Sequence, residues 1–158
     1  MATKIESKVS EQDHQDAESR IVKFSYHKPS GFERAKVSVR LGQTDIIRGH
    51  VQVIKRDGGE NNLHYHSRVD GMFTVLSGRV RFYGPSDEVL GEFGRLEGII
   101  IPRNARYWFE NIGDGEAEVM LVQSFAVPAA ETSGRTDAAP RKLADAGSGG
   151  QAYSAVVK

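Results

Sequence analysis

The 158-residue chain has 21 Lys and Arg against 21 Asp and Glu, so its formal net charge is zero. This balance argues against a nucleic-acid or anionic-membrane partner held by bulk charge. The absence of cysteine excludes disulfides, thiolate metal sites and cysteine nucleophiles. No apolar run approaches the roughly 20 residues that span a bilayer, and the polar N-terminal residues lack the apolar stretch of a secretory signal. We therefore expect a cytoplasmic protein with no membrane partner.

The two ends of the chain differ in composition from its middle. Residues 1–19 are polar and are predicted to form a mobile arm, or a short helix that orders only against a partner. Residues 128–158 are rich in Ala, Gly, Ser and Thr and offer few large side chains to bury. We predict a low-complexity tail there. A single folded domain is expected over residues 20–127.

Short β-like segments follow one another through this domain. They are rich in β-branched and aromatic residues and are separated by turn signals such as RDGGENN, LSG and NIGDGE. No segment shows a sustained 3.6-residue apolar period, so little helix is expected. The pattern predicts an all-β antiparallel barrel or jelly roll. Its segments are residues 37–41, 46–55, 62–67, 71–76, 79–84, 88–93, 98–102, 105–111 and 117–127.

Alternation along one of these segments predicts which side chains face the core. Val80 and Phe82 alternate with Arg79 and Arg81. Because successive side chains of a strand point to opposite faces, we expect the apolar pair inside and the arginines outside.

The chemistry of the chain centres on His64 and His66. Their i, i+2 spacing places both imidazoles on one face of a strand, which is a natural start for a metal site. By chance alone, such a pair arises roughly one time in six at this histidine content, so the spacing needs support from its surroundings. A surface pair is the alternative.

The surroundings of the pair resemble the two motifs of the cupin superfamily, over roughly residues 40–127. The first motif is matched by Gly58, His64, His66 and Gly78, and the second by Pro102, Asn104, Tyr107 and Asn111. The resemblance implies a cupin barrel in which His64, His66 and Tyr107 point inward and face one another.

The chain departs from the cupin pattern at two of the four positions where the family has metal ligands. Gly71 stands at the glutamate position, and Asp70 beside it should point to the opposite face. Tyr107 stands at the position of the third histidine. Catalytic metals normally have about three protein ligands, so we expect no tightly bound metal. His50 and Asp70 remain weak candidates for a further ligand.

The aromatic residues of the second motif allow several roles. Tyr107 could be an unusual ligand, a hydrogen-bond donor to a substrate, or an aromatic that fills the space of an absent metal. Alternation puts Trp108 on the opposite face, where we expect it to pack against an N-terminal strand or a neighbouring chain.

The chain also resembles the small subunit of two-component hydroquinone-type ring-cleaving dioxygenases. That resemblance implies a larger cupin subunit that holds Fe(II) and opens a small aromatic substrate with O₂. A stand-alone metal-dependent cupin dioxygenase or isomerase is one alternative, and a metal-free cupin that binds a small ligand is another. A homodimer could take the place of the larger partner.

Overall fold

A computed structural model describes residues 8–56, 58–126, 134–139 and 152–158. Its one described helix, α1, spans Glu11–Ser19 within the predicted N-terminal arm, of which residues 1–7 lie outside the described residues. The helix begins with a capping box, in which the Ser10 hydroxyl accepts from the Asp13 N–H and the Asp13 carboxylate accepts from the Ser10 N–H. None of its residues is buried. Whether a partner orders it stays a prediction.

The described residues form thirteen strands, and the larger sheets are antiparallel apart from one parallel pair at an edge, as expected for the predicted fold class. The strands are β1 (Lys23–Phe24), β2 (Lys36–Gln43), β3 (Ile47–Ile54), β4 (Gly59–His66), β5 (Val69–Ser77), β6 (Val80–Tyr83), β7 (Val89–Phe93), β8 (Gly98–Ile101), β9 (Tyr107–Asn111), β10 (Ala117–Phe125), β11 (Arg135–Ala139), β12 (Ala152–Ser154) and β13 (Val156–Val157). No described helix is long and apolar enough to cross a membrane.

Two sheets enclose the main core. One has the strand order β12-β2-β3-β10-β5-β8, the other has the order β11-β4-β9-β6-β7, and β1 pairs with β13 in a small third sheet. Apolar side chains from both large sheets meet between them and are almost completely buried. Examples are Phe73 and Val119 of the first sheet and Phe82 and Phe109 of the second.

The six-stranded sheet is also covered on its outer face. Val39, Leu41 and Val51 pack there with Ala155, and Tyr26 packs against this cluster. Segments near both ends of the chain therefore shield the apolar side of β2 and β3. The polar side chains of these two strands are left to face the interior of the barrel.

The predicted C-terminal tail contributes three short strands, which pair with strands of the predicted domain. Strand β11 pairs with β4, β12 runs parallel to β2, and β13 pairs with β1. These pairings use backbone hydrogen bonds, which need no large side chains. A prediction based on the composition of residues 128–158 therefore did not identify these strands. Residues 127–133 and 140–151 of this region lie outside the described residues.

The predicted orientation of β6 is confirmed. Val80 and Phe82 are fully buried, whereas Arg79 and Arg81 lie on the outside. Both arginines contact the carboxylate of Glu92 on β7, and the Arg81 Nε to Glu92 Oε1 distance is 2.7 Å.

Trp108 lies on the opposite face from Tyr107, as predicted, but its expected contact with an N-terminal strand is wrong. The indole stacks on Tyr83 with 3.9 Å between ring centroids, and its Nε1–H donates to Asp87 at 2.9 Å. Trp108 therefore links β9 to β6 and to the turn after β6. With Leu63 and Tyr83 it forms a small apolar cluster on the outer face of this sheet.

Candidate functional site

A cavity of about 230 Å³ lies between the two large sheets. Strands β2 and β3 supply half of its polar lining residues, namely Lys36, Ser38, Arg48, His50 and Gln52. On both strands these residues alternate with the side chains that pack on the outer face. The apolar side chains of β2 and β3 pack on the outer face, against segments near the ends of the chain. The polar side chains of the same strands therefore line the cavity.

The two histidines of the first motif and the tyrosine of the second meet in this cavity. His64 and Tyr107 are directly paired residues of β4 and β9. Their ring centroids are 4.4 Å apart, the His64–His66 centroids 5.3 Å and the His66–Tyr107 centroids 6.3 Å. The structure thus brings together the three residues that the cupin resemblance places inside the barrel.

The imidazoles of this site are uncharged near neutral pH. Burial first, and then the nearby Arg135 guanidinium, together lower the pKa of His64 to about 3. The His64 ring lies with Nδ1 2.8 Å from the Asn62 carbonyl oxygen, so Nδ1–H donates there and Nε2 carries a lone pair. Burial, with Arg135 and then Arg48, lowers the pKa of His66 to about 4.

His50 also lines the cavity, so it lies inside the barrel, where a third metal ligand would have to be. Its Nε2 lies 3.4 Å from the Gln52 side-chain nitrogen. Burial lowers its pKa to about 4, with a further contribution from Arg48. Even so, the described residues contain no group of three or more His, Cys, Asp or Glu side chains placed to hold one metal ion.

Asp70 lies outside the site. Its carboxylate accepts a hydrogen bond from the Arg103 N–H at 2.8 Å and forms an ion pair with the Arg103 side chain. The next residue, Gly71, is buried, and a Cβ added there would lie 3.1 Å from Leu121 Cδ1. Alternation along β5 thus turns the carboxylate away from the cavity and leaves the inward position without a side chain.

The residues of the cavity do not fit the metal that the fold family implies. His64 and His66 are competent neutral donors, but the other two ligand positions hold Gly71 and Tyr107. Burial raises the pKa of the Tyr107 phenol, which therefore stays protonated and is a poor ligand. The absence of a tightly bound metal stays a prediction, which this donor set favours.

Basic side chains add a second obstacle to a divalent cation. Lys36, Arg48 and Arg135 line the cavity, and none of its described lining residues is acidic. Burial, followed by repulsion from Arg135, lowers the pKa of Lys36 to about 7. Like charges in a partly buried site repel a cation more strongly than they would in water.

Sequence reasoning missed six polar residues of the cavity, namely Lys36, Ser38, Arg48, Gln52, Gln123 and Arg135, and one signal could have found two of them. Arg48 donates from Nε and Nη2 to the Gln123 side-chain oxygen, at 3.1 and 2.6 Å. Arg48 and Gln52 share the face of β3 that holds His50, so the alternation of Arg-x-His-x-Gln indicated a polar inner face. Lys36 and Arg135 lie far away in the sequence, and no local pattern connects them to the site.

Comparisons with known proteins identify the fold. No protein-family model matches the chain, and the search of curated proteins gives no match. An uncharacterized conserved protein with a double-stranded β-helix domain from Klebsiella pneumoniae matches with a TM-score of 0.58 and 17% identity, over 88% of this chain and 98% of that one. The cupin domain of Schizosaccharomyces pombe Cnp3 matches with a TM-score of 0.55 and 15% identity, over 64% and 68% of the two chains.

An enzyme is also among the similar structures. Oxalate oxidase in complex with the substrate analogue glycolate matches with a TM-score of 0.54 and 13% identity, over 72% of this chain and 60% of that one. Identities this low establish a common fold and leave activity open. Together with the two facing sheets and the inward His64, His66 and Tyr107, they show that the chain has a cupin-like, double-stranded β-helix fold.

Proposed function

We propose that the chain is the small, non-catalytic subunit of a two-component, Fe(II)-dependent dioxygenase that cleaves hydroquinone-type rings in the cytoplasm. The observation that carries the proposal is the incomplete ligand set. His64 and His66 lie together in the cavity, but Gly71 and Tyr107 stand where the resemblance implies the other ligands. A larger cupin subunit would hold the iron and the small aromatic substrate.

The charge of the cavity supports the same assignment. Arg48 and Arg135 lie at the edge of the histidine pair. Arg135 forms an ion pair with Asp137, whereas the guanidinium of Arg48 donates, among the described residues, only to the neutral Gln123 amide oxygen and would repel a divalent cation beside it. A barrel of this kind is suited to support a catalytic partner more than to host Fe(II) itself.

An exposed apolar groove of about 600 Å³ supports the presence of a partner. It lies beside α1, and its most exposed apolar side chains are Ile21, Val22, Phe24, Ile46 and Ile47. Ile21 is 70% exposed and Phe24 is 54% exposed. Contiguous apolar surface of this kind typically marks a protein interface, and we assign it to the larger subunit.

Reconstitution tests the proposal. The chain is purified without a tag and assayed for oxygen uptake with hydroquinone and added Fe(II), first alone and then with the Fe(II)-binding large subunit of a hydroquinone dioxygenase from the same source. We expect no turnover by the chain alone and turnover by the pair. Turnover by the chain alone would establish the stand-alone enzyme, and a chain that forms only homodimers would also contradict the proposal.

Two surface variants test the groove. Phe24→Ser and Ile46→Ser should each weaken co-purification with the large subunit, because both remove exposed apolar area from the groove. Leu96→Ser is the matched control, since Leu96 is 72% exposed but does not line the groove. Equal loss of the complex with all three variants would show that the groove is not the interface.

A further inference from the structure

The cavity contains a half-buried cation without a carboxylate partner in the described part of the chain. The side-chain hydrogen bonds of Arg48 go to the amide oxygen of Gln123, which is 2% exposed, and its guanidinium lies 5.3 Å from the centre of the Phe125 ring. A neutral amide and an aromatic ring balance only part of a positive charge that is removed from water. An anionic ligand in the cavity would balance the rest.

Two polar groups on the cavity wall have no hydrogen-bond partner among the described residues. The Gln52 residue is only 7% exposed. Its side-chain oxygen is completely buried and makes no hydrogen bond to a described residue. The Tyr107 hydroxyl also makes no hydrogen bond to a described residue, but only the Gln52 oxygen is both completely buried and unpaired among the described side chains. Buried polar groups are almost always satisfied, so an exception on the wall of a cavity indicates a missing partner. Gln52 requires a donor, whereas Tyr107 can supply one.

We propose that the cavity is a binding site for a small hydroxy-carboxylate, with Arg48 and Tyr107 as donors to the carboxylate and the Gln52 oxygen as acceptor from the hydroxyl. This set of partners asks for both an anion and a donor in one molecule. A simple inorganic anion would leave the Gln52 oxygen unsatisfied, and a neutral polyol would leave the charge of Arg48 unbalanced.

The remaining walls fit the same class of ligand. His64 presents its Nε2 lone pair as a second acceptor, because Nδ1–H is used by the Asn62 carbonyl oxygen. Phe73 and Leu121 line the apolar part of the cavity and can cover the carbon skeleton. A volume of about 230 Å³ limits the ligand to a small molecule. Lys36 and Arg135 also line the cavity, but Arg135 is ion-paired with Asp137 at 3.1 Å, and neither is required as a direct contact.

This inference does not rest on the proposed function. It concerns binding by the chain alone, without iron and without a larger subunit, and reconstitution of oxygenase activity does not decide it. A chain that fails to support a dioxygenase could still bind the ligand, and the reverse also holds.

Calorimetry with matched compounds tests the ligand class. The probes are lactate and mandelate, their analogues without the hydroxyl (propionate and phenylacetate), and their neutral amides (lactamide and mandelamide), all at equal ionic strength. We expect at least one hydroxy acid to bind with a Kd below about 1 mM, its deoxy analogue to bind several-fold more weakly, and its amide not to bind. Sulfate serves as the inorganic comparison.

Variants link the binding to the named residues. Arg48→Gln should weaken hydroxy-acid binding about tenfold or more, because a charge-assisted hydrogen bond is lost. Gln52→Leu should remove the preference for the hydroxy acid over its deoxy analogue. Tyr107→Phe keeps the packing of the ring and should weaken binding severalfold. It tests the site even if one of the other two variants fails to fold. Arg103→Gln, on the surface, should bind as the wild type does.

Three results would overturn the proposal. The first is no binding of either hydroxy acid at about 10 mM. The second is equally tight binding of the amide or of sulfate, which would indicate an adventitious ion only. The third is wild-type affinity for the hydroxy acid in both Arg48→Gln and Tyr107→Phe when these variants are folded.

Discussion

Gly71 and Tyr107 occupy the positions of the missing metal ligands, and each removes a donor in a different way. Gly71 has no side chain, and a Cβ added there would lie 3.1 Å from Leu121 Cδ1, so Leu121 must shift slightly to admit one. The Tyr107 ring packs against His64 and Phe73, and burial raises the pKa of its phenol. Since both histidines of the first motif remain, the weak metal affinity that we predict should be traceable to these two positions.

Restoring the two ligands should restore metal binding. We expect the double variant Gly71→Glu/Tyr107→His to bind Co(II) about tenfold or more tightly than the wild type, because it adds a carboxylate and an imidazole beside His64 and His66. Equilibrium dialysis and the visible spectrum of Co(II) measure this. Asp70→Glu, whose carboxylate points outward, is the control. Tight Co(II) binding by the wild type, or no gain in the double variant, would contradict the prediction.

Asn111 acts as a structural residue of the second motif. Its side-chain nitrogen donates to the carbonyl oxygens of Ile54 and Gly115, at 3.1 and 2.8 Å, and its oxygen accepts from the Gly113 N–H at 2.9 Å. Asn111→Ala leaves these backbone groups unpaired, so the free energy of unfolding should fall by about 2–4 kcal/mol. Urea denaturation measures the change. Exposed Gln43→Ala is the control, and equal stability of the two variants would be inconsistent with this role.

Alternation along a strand predicted β6 correctly but left the orientation of β2 and β3 open. For β6, only one face is apolar, so Val80 and Phe82 must be inside. In β2 and β3 the apolar side chains, such as Val39 and Val51, pack on the outer face under the chain ends, and the polar ones line the cavity. The pattern shows that a strand is present. It cannot show which face is inside when both faces are covered.

The turn between β5 and β6 depends on glycine. Gly78 has a φ of +83°, and a Cβ there would lie 2.9 Å from the Ala117 Cα. Gly78→Ala therefore combines an unfavourable conformation with a collision against backbone, and should destabilise the fold by about 2–4 kcal/mol. Gly115→Ala is the matched control, since nothing lies within 4 Å of its added Cβ. Equal midpoints of thermal unfolding for both variants would contradict this expectation.

At the scale of the whole molecule, the sequence predicted the β fold and the histidine pair, but not the composition of the cavity. His64 and His66 are neighbours on one strand, so their proximity follows from spacing alone. Lys36, Gln123 and Arg135 come from three other strands. They meet because β2, β10 and β11 surround the same cavity, and this depends on the strand order and not on local patterns.

The buried imidazoles of this cavity make the stability of the whole fold depend on pH. Burial lowers the pKa of His64 to about 3, and those of His50 and His66 to about 4, against about 6.5 in an unfolded chain. Between these limits the unfolded chain binds more protons than the folded one, so the free energy of unfolding rises with pH. The histidine contribution is complete above pH 6.5 and is lost progressively as the pH falls towards 4.

Urea denaturation between pH 6.5 and 4.5 tests this dependence. We expect the free energy of unfolding to fall by about 2 kcal/mol for each imidazole that the fold keeps neutral, and the completely buried His64 supplies one such share. His64→Gln removes one titrating group and should flatten the slope by up to about 1.4 kcal/mol per pH unit, whatever its effect on stability at neutral pH. His27→Gln, at an exposed position, should keep the wild-type slope. Exposed carboxylates titrate in all three proteins, so the test compares the slopes of the free energy of unfolding against pH. Parallel slopes for the wild type and His64→Gln would show that the fold does not hold His64 neutral.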